Sequence, residues 1–269
     1  LWSASLRYLF SLPMLAVLVL RKGELTGVLS GIKKAPLTWV IWSTVGFGLF
    51  YAPLSMASIY GESWFVAATW QITILAGLLL TPLFGQKIPR KQLGMTLLIL
   101  LGIVLIQIPY FGRGLGEGVV RASILILIAA FSYPLGNRKM LVHCKEEQLS
   151  TTQRVFGMTL MSVPFWLLLS VFAGVDAGLP SGGQMLQSLI VAVFSGVIAT
   201  MLFFEATNLV KHNHQQLAVV EATQAGEVLF TLFGGCLFLG DQIPTPLGFL
   251  GVFIVIIGIV GNSLMTSSE

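Results

Sequence analysis

Gly85-Gln86-Lys87-Ile88-Pro89 recurs 155 positions later as Gly240-Asp241-Gln242-Ile243-Pro244, and the basic residues that surround the first copy are missing from the second. Three more pairs run in the same order. Ser11-Leu12-Pro13 matches Ser162-Val163-Pro164, Val66-Ala67-Ala68-Thr69 matches Val220-Glu221-Ala222-Thr223, and Leu101-Gly102-Ile103-Val104 matches Ile257-Gly258-Ile259-Val260. Each is cheap alone in a chain this rich in Gly, Leu and Val. Four collinear matches whose offset drifts from 151 to 156, as loop-length changes would make it, read as an internal repeat.

The medium in which the repeat sits follows from composition. With 55% hydrophobic residues, 10% charged residues and a mean hydropathy of +0.88, the chain has too little polar surface to cover a water-soluble globule of 269 residues. It reads as an all-α polytopic membrane protein. The net charge of +4 is scattered through short loops and forms no continuous stripe, so its expected partner is a lipid bilayer and no nucleic acid. Cys144 in a charged loop and Cys236 in an apolar run imply no disulfide framework. Leu1 is not a methionine, and an N-terminal truncation is expected.

About 20 apolar residues of helix cross a hydrocarbon core, and nine such stretches occur, near 1–20, 37–59, 63–84, 93–110, 119–141, 153–175, 185–208, 215–239 and 246–265. Lys and Arg in short loops stay on the cytoplasmic side. Arg21, Lys22, Lys33 and Lys34, then Lys87, Arg90 and Lys91, then Arg138, Lys139, Lys145 and Arg154, and finally Lys211 fall in alternate loops, against Arg113 and Arg121 in the others. Leu1 is therefore expected outside and Glu269 in the cytoplasm of a cell (inner or plasma) membrane. The loop at Lys87 then faces inward and its copy at Asp241 outward, so the halves are inverted. Residues 1–110 form the first repeat, as helices 2–5, and 111–269 the second, as helices 6–10. The span at 119–141 has no partner, and the expectation is a further helix before Leu1, giving two inverted five-helix repeats with nine helices present.

Ionisable groups at membrane depth are functional candidates by default. Glu227 falls near the middle of its span with Gln224 one turn earlier, where desolvation opposes the charged form and would let it exchange protons near neutral pH. A hydrogen-bonded clamp between helices is the alternative. Glu221 and Glu205 either assist the proton or pair structurally with Arg138, Lys139 or Lys211. Arg7 either balances one of these carboxylates or snorkels to the outer surface. Thr69, Trp70 and Gln71 are matched by the repeat to the region of Thr223 and Gln224, which would set both around a central cavity. A lipid-facing or core Trp70 is the plainer reading. Tyr133 and Pro134 suggest a kink. His212 and His214 lack further ligands, so no metal site is expected, and no nucleotide-binding or hydrolase motif occurs, so the chain is not expected to be an enzyme or to hold a cofactor.

On these residues the whole chain resembles the drug/metabolite transporter superfamily, and within it the bacterial multidrug resistance efflux branch. The resemblance rests on Arg7-Tyr8-Leu9-Phe10 opening what would be the second helix, on Gly-x-x-Ile-Pro joining the last two helices of each half, and on the Leu-Gly-Ile-Val endings. Val220-Glu221-Ala222 has Ala where the superfamily often has Pro, and Asp241 stands at its acidic position. The small four-helix relatives use a Glu in their first helix, a position that would precede Leu1, so that role does not transfer to Glu227. The resemblance implies ten helices in two inverted repeats and a secondary active exporter of small organic molecules, drug or metabolite. Proton coupling through Glu227, with Glu221 or Glu205 assisting, and alternating access complete the expectation. A facilitator or exchanger of a neutral or aromatic amino acid or other metabolite is the alternative, and a membrane-embedded enzyme or scaffold a remote third. Anionic substrates are disfavoured, because Arg7 is the one clear intramembrane cation. The oligomeric state is left open.

Overall fold

A computed structural model describes residues 1–60, 63–85, 87–88, 90–111, 117–223, 226–239, 243 and 245–267. Among them the chain is helical, with no strand. In chain order the helices are α1 (Trp2–Arg21), α2 (Leu25–Lys34), α3 (Pro36–Ser43), α4 (Leu49–Ala57), α5 (Ser63–Trp70), α6 (Ile72–Leu80) and α7 (Arg90–Phe111). Then come α8 (Glu117–Glu146), α9 (Thr151–Ala177), α10 (Gly182–Val191), α11 (Thr200–Leu209), α12 (His214–Ala222), α13 (Gly226–Gly234) and α14 (Pro246–Ser267). Among the described residues, six stretches are long and apolar enough to cross a membrane: Trp2–Arg21, Pro36–Ala57, Val66–Phe84, Val120–Glu146, Thr151–Ala177 and Gly182–Leu209. Shorter apolar helices cover Leu93–Ile108, Gly226–Phe238 and Pro246–Gly261.

The helices gather into two compact units that cut across the sequence halves. Unit 1 holds Leu1–Ser55 and Ser132–Leu209, and unit 2 holds Met56–Phe131 and Val210–Glu269. Each therefore combines an early and a late stretch of chain.

In unit 1, α1 packs along α9 in the opposite direction. Trp2 Nε1 donates to the Gly178 carbonyl at 2.8 Å at one end, the Tyr8 and Trp166 rings stack at 4.3 Å between centroids, and Lys22 Nζ donates to Thr152 Oγ1 at 2.8 Å at the other. Apolar burial drives little association between helices already in lipid, so close approach through small residues carries the packing. Gly157 lies under the fully buried Trp39, and Gly46 meets the backbone of Gly136 so closely that neither has room for a Cβ without displacing the other helix. The stretch from α1 to α3 is not a loop. Leu25, Val28, Leu29 and Ile32 recur at helical spacing and form α2, which packs on α9. Ser150 caps α9 by accepting from Gln153 N at 3.1 Å while Gln153 Oε1 accepts from Ser150 N at 2.8 Å, a capping box. The same two side chains fasten the loop before α2, since Ser150 Oγ donates to Glu24 Oε2 at 2.7 Å and Gln153 Nε2 to the Glu24 carbonyl at 2.8 Å.

In unit 2, α7 and α14 are also antiparallel. Met95 lies against Gly261, Ile99 against Gly258, Gly102 against Val255 and Gly251, and Ile106 against Gly251. Inside α8, Pro134 has no N–H for the Ala130 carbonyl four residues back. The Thr73 hydroxyl donates to that carbonyl at 3.1 Å, and α8 remains one helix through the proline.

Candidate functional site

Unit 1 places one permanent charge among aromatic rings. Arg7, only 7% exposed, extends from the second turn of α1, and its guanidinium carbon lies 4.1 Å from the Tyr51 ring centroid and 5.1 Å from that of Tyr8. Nη2 donates to Ser195 Oγ at 3.0 Å. Ser195 is exposed and belongs to Ala192–Ala199, a π-helical stretch whose widened turns commonly mark functional positions. Nε and Nη1 of Arg7 are buried without an acceptor. Around this group the rings form a continuous network: Tyr8 with Phe47, Tyr51 with Phe50, Phe50 with Tyr133, and Tyr133 with Phe203, at centroid separations of 5.3, 5.7, 4.6 and 6.3 Å.

Arg7 thus neither snorkels nor meets a carboxylate within the described residues, where the one ion pair is Lys34 with Glu147 at 2.7 Å. Tyr133 is half-buried in the aromatic network of the same unit, and Glu205 is exposed on α11.

In unit 2 a single turn residue, Gln71, separates α5 from α6 on the path from Ser63 to Leu80, and α12 and α13 follow one another later in the chain, residues 224 and 225 between them lying outside the described residues. α5 packs against α13 and α6 against α12. Polar side chains gather at Gln71. Gln107 Nε2 donates to Thr69 Oγ1 at 2.6 Å, Gln71 Nε2 donates to the Ala67 carbonyl at 3.1 Å, and Gln71 Oε1 is buried without a donor. Thr69, Trp70 and Gln71 are all buried in this unit, Trp70 as part of its core. Just past α12, Thr223 is exposed with its hydroxyl donating to the Val220 carbonyl at 2.7 Å. Glu227 stands exposed in the first turn of α13. Glu221 lies in the last turn of α12, and Gln224 falls outside the described residues, as do Asp241 and Gln242. The predicted residues thus divide between the units, with Arg7, Tyr133 and Glu205 in the first and Thr69, Trp70, Gln71, Thr223, Glu221 and Glu227 in the second.

The loop assignment used for orientation needs correction. Arg138, Lys139 and Lys145 belong to α8 and Arg154 to α9, with Arg138 and Arg154 buried at 6% and 3% exposure. Arg154 Nη2 donates to the Phe204 carbonyl at 3.0 Å and Thr207 Oγ1 at 3.1 Å, and its guanidinium carbon lies 4.4 Å from the Phe204 ring centroid. Ser150-Thr151-Thr152-Gln153 was the available signal, because a capping box starting at Ser150 puts Arg154 in the first turn of a helix. Tyr51, Gln107 and Ser195 carried no such mark. At the same end, Glu147 receives a hydrogen bond from the Lys34 ammonium, which holds its carboxyl below the usual range.

The whole chain finds relatives. Residues 1–268 match the family described as "EmrE: Putative multidrug resistance efflux transporter". The chain is 48% identical to the "Uncharacterized protein YjlA" of Bacillus subtilis (strain 168), over 97% of its own length and 84% of that protein's. It is 41% identical to an uncharacterized 42.1 kDa protein of Shouchella clausii encoded in the intracellular alkaline protease 3' region, over 84% of its own length and 62% of that protein's. A solved crystal structure superposes with a TM-score of 0.71 at 13% identity, covering 98% of this chain and 86% of that one, which establishes likeness of fold alone. A multi-pass helical chain matched from end to end in this way belongs to the EmrE-type multidrug resistance efflux transporter family of the drug/metabolite transporter superfamily.

Proposed function

We propose that the protein is a proton-linked secondary exporter of small organic molecules, working by alternating access, with residues 111–269 an inverted copy of residues 1–110. The observation that carries this reading is a reciprocal pair of contacts in unit 2, α5 on α13 and α12 on α6, which the repeat maps onto each other. The repeat matches Val66–Thr69 to Val220–Thr223, and carried forward it sets the start of α6 at Ile72 opposite the start of α13 at Gly226. Reciprocal contacts of this kind are what inverted repeats related by a pseudo-two-fold axis produce. The antiparallel packing supports the same reading. Ile99 against Gly258 in unit 2 maps, at the offset of 156, onto Val255 against Gly102, the reciprocal contact a two-fold relation demands. In unit 1 the antiparallel pair α1 and α9 carries the matched Ser11–Pro13 and Ser162–Pro164. The π-helical stretches Thr44–Gly48 and Ala192–Ala199 also fall on matched spans.

Glu227 is the proton carrier in this reading. It stands in the first turn of α13, on an apolar helix, where an ionisable side chain at membrane depth is a functional candidate by default. Glu221, at the end of α12, and Glu205, on α11, assist. Arg7, Tyr133, Thr69, Trp70, Gln71, Thr223 and Gln224 contribute to substrate handling. The chain sits in the plasma membrane with Leu1 outside and Glu269 inside. The test is uptake into everted vesicles of a substrate found by screening labelled organic acids, bases and neutral compounds. Uptake that collapses when the pH gradient is dissipated, and that Glu227→Gln abolishes, supports the coupling. Uptake by Glu227→Gln that still follows the gradient removes Glu227 from the role.

A further inference from the structure

We infer that Arg7 and the rings around it form a recognition site for an organic carboxylate with an aromatic or apolar body. This deepens the exporter reading and rests on it.

A guanidinium stays charged at any accessible pH and carries five N–H donors. Arg7 is 7% exposed, and the described residues give it one hydrogen bond to Ser195 Oγ, a polar interaction with the Tyr8 hydroxyl and the faces of Tyr51 and Tyr8, with no carboxylate. Nε and Nη1, three donors between them, are buried without an acceptor. Leaving such a cation uncompensated is strongly unfavourable, and cation–π contact alone does not replace an anion. Arg154 in the same unit shows how the fold satisfies an arginine that serves structure. It gives one nitrogen to a backbone carbonyl and a hydroxyl together, and of its nitrogens only Nε is buried without an acceptor. Arg7 has no carbonyl acceptor, and a substrate carboxylate would complete it.

The surroundings select the class. Tyr8, Tyr51, Ser11 and Ser195 bring no second positive charge, so the site suits one negative charge rather than a phosphate dianion. Phe47, Phe50 and Trp166 extend the ring surface and favour an aromatic or apolar body. An organic cation, which an aromatic cage would otherwise attract, is repelled by the guanidinium inside it. Ser195, whose hydroxyl holds Nη2, is an exposed residue of the π-helical stretch, and approach to Arg7 would be from that end. This inference departs from the expectation that anions are disfavoured. One unpaired arginine is too little for a sugar phosphate and sufficient for a monocarboxylate.

The test uses the purified full chain in detergent, with equilibrium dialysis of benzoate, benzyl alcohol and benzylamine, which share a ring and differ in charge. Benzoate should bind saturably and at least about tenfold more tightly than either analogue, and excess inorganic phosphate should not displace it. Arg7→Gln should abolish benzoate binding, Arg7→Lys should weaken it, and the distant Lys34→Gln should leave it unchanged. Equal binding of the three compounds, no binding of benzoate, displacement by phosphate, or benzoate binding retained in Arg7→Gln would each overturn the inference. If Arg7→Gln does not fold, the charge series and the phosphate competition on the unaltered protein decide the matter. No gradient is present in dialysis, so failure here leaves proton-linked export standing, and failure of the vesicle experiment leaves this binding result standing.

Discussion

Replacing Gly102 with alanine adds one methyl group to α7 at the point where it meets α14. That Cβ would fall 2.6 Å from the Gly251 carbonyl oxygen and 2.9 Å from the Val255 backbone nitrogen. Both are backbone atoms and cannot rotate aside, so α7 and α14 must separate along this contact. Overpacking of this kind costs about 1–3 kcal/mol. Gly94, two turns earlier on the same helix, has nothing within 4 Å of where its Cβ would be. There alanine brings only its better helix propensity, about 0.5–1 kcal/mol in favour of folding. The same propensity gain partly offsets the clash at Gly102, leaving Gly102→Ala about 1–2 kcal/mol below the unaltered protein. At about 2–4 °C per kcal/mol for a chain of this size, Gly102→Ala should melt several degrees below Gly94→Ala. Size-exclusion profiles after heating in detergent measure the difference. Gly102→Ala melting at or above Gly94→Ala would refute the packing of α7 on α14 described here.

Two further outcomes concern the end of unit 1 where α2, α8 and α9 are fastened. Ser150→Ala removes the α9 cap and the bond to Glu24 together and should cost about 1–2 kcal/mol in thermal unfolding, while Ser150→Thr should restore most of it. The Lys34 ammonium holds the Glu147 carboxyl below its usual range, so this pair's contribution is present above the ordinary carboxylate range and is lost as pH falls through the lowered value. In Lys34→Gln the Glu147 carboxyl should titrate higher, a shift that difference infrared spectroscopy of wild type and variant measures.

How much of this was legible in advance depends on the range over which each feature is decided. Long apolar runs such as Thr151–Ala177 announce themselves, because lipid leaves an unpaired backbone no alternative to helix. The cap at Ser150 is equally local. The break at Gln71 is not, since its flanks Ser63–Trp70 and Ile72–Leu80 are as apolar as any helix and contain no proline. The polar partners beside it lie far away in sequence, such as Gln107 on Thr69. The π-helical turns at Thr44–Gly48 likewise have Gly46 lying against the distant Gly136. Glycine advertises that something comes close, without saying what. Arg7 could be recognised as a charge at membrane depth from its position alone. Its unpaired donors became visible only with Tyr51 and Ser195 around it, one 44 and the other 188 residues away.

Export by alternating access, as proposed, requires the later half to run opposite to the earlier one. With Cys144 and Cys236 replaced, single cysteines at Lys87 and at Asp241 can be labelled by a membrane-impermeant maleimide in intact cells and in everted vesicles. The account predicts that the cysteine at 87 reacts only from the cytoplasmic side and the cysteine at 241 only from outside. Labelling of both from the same side would contradict it.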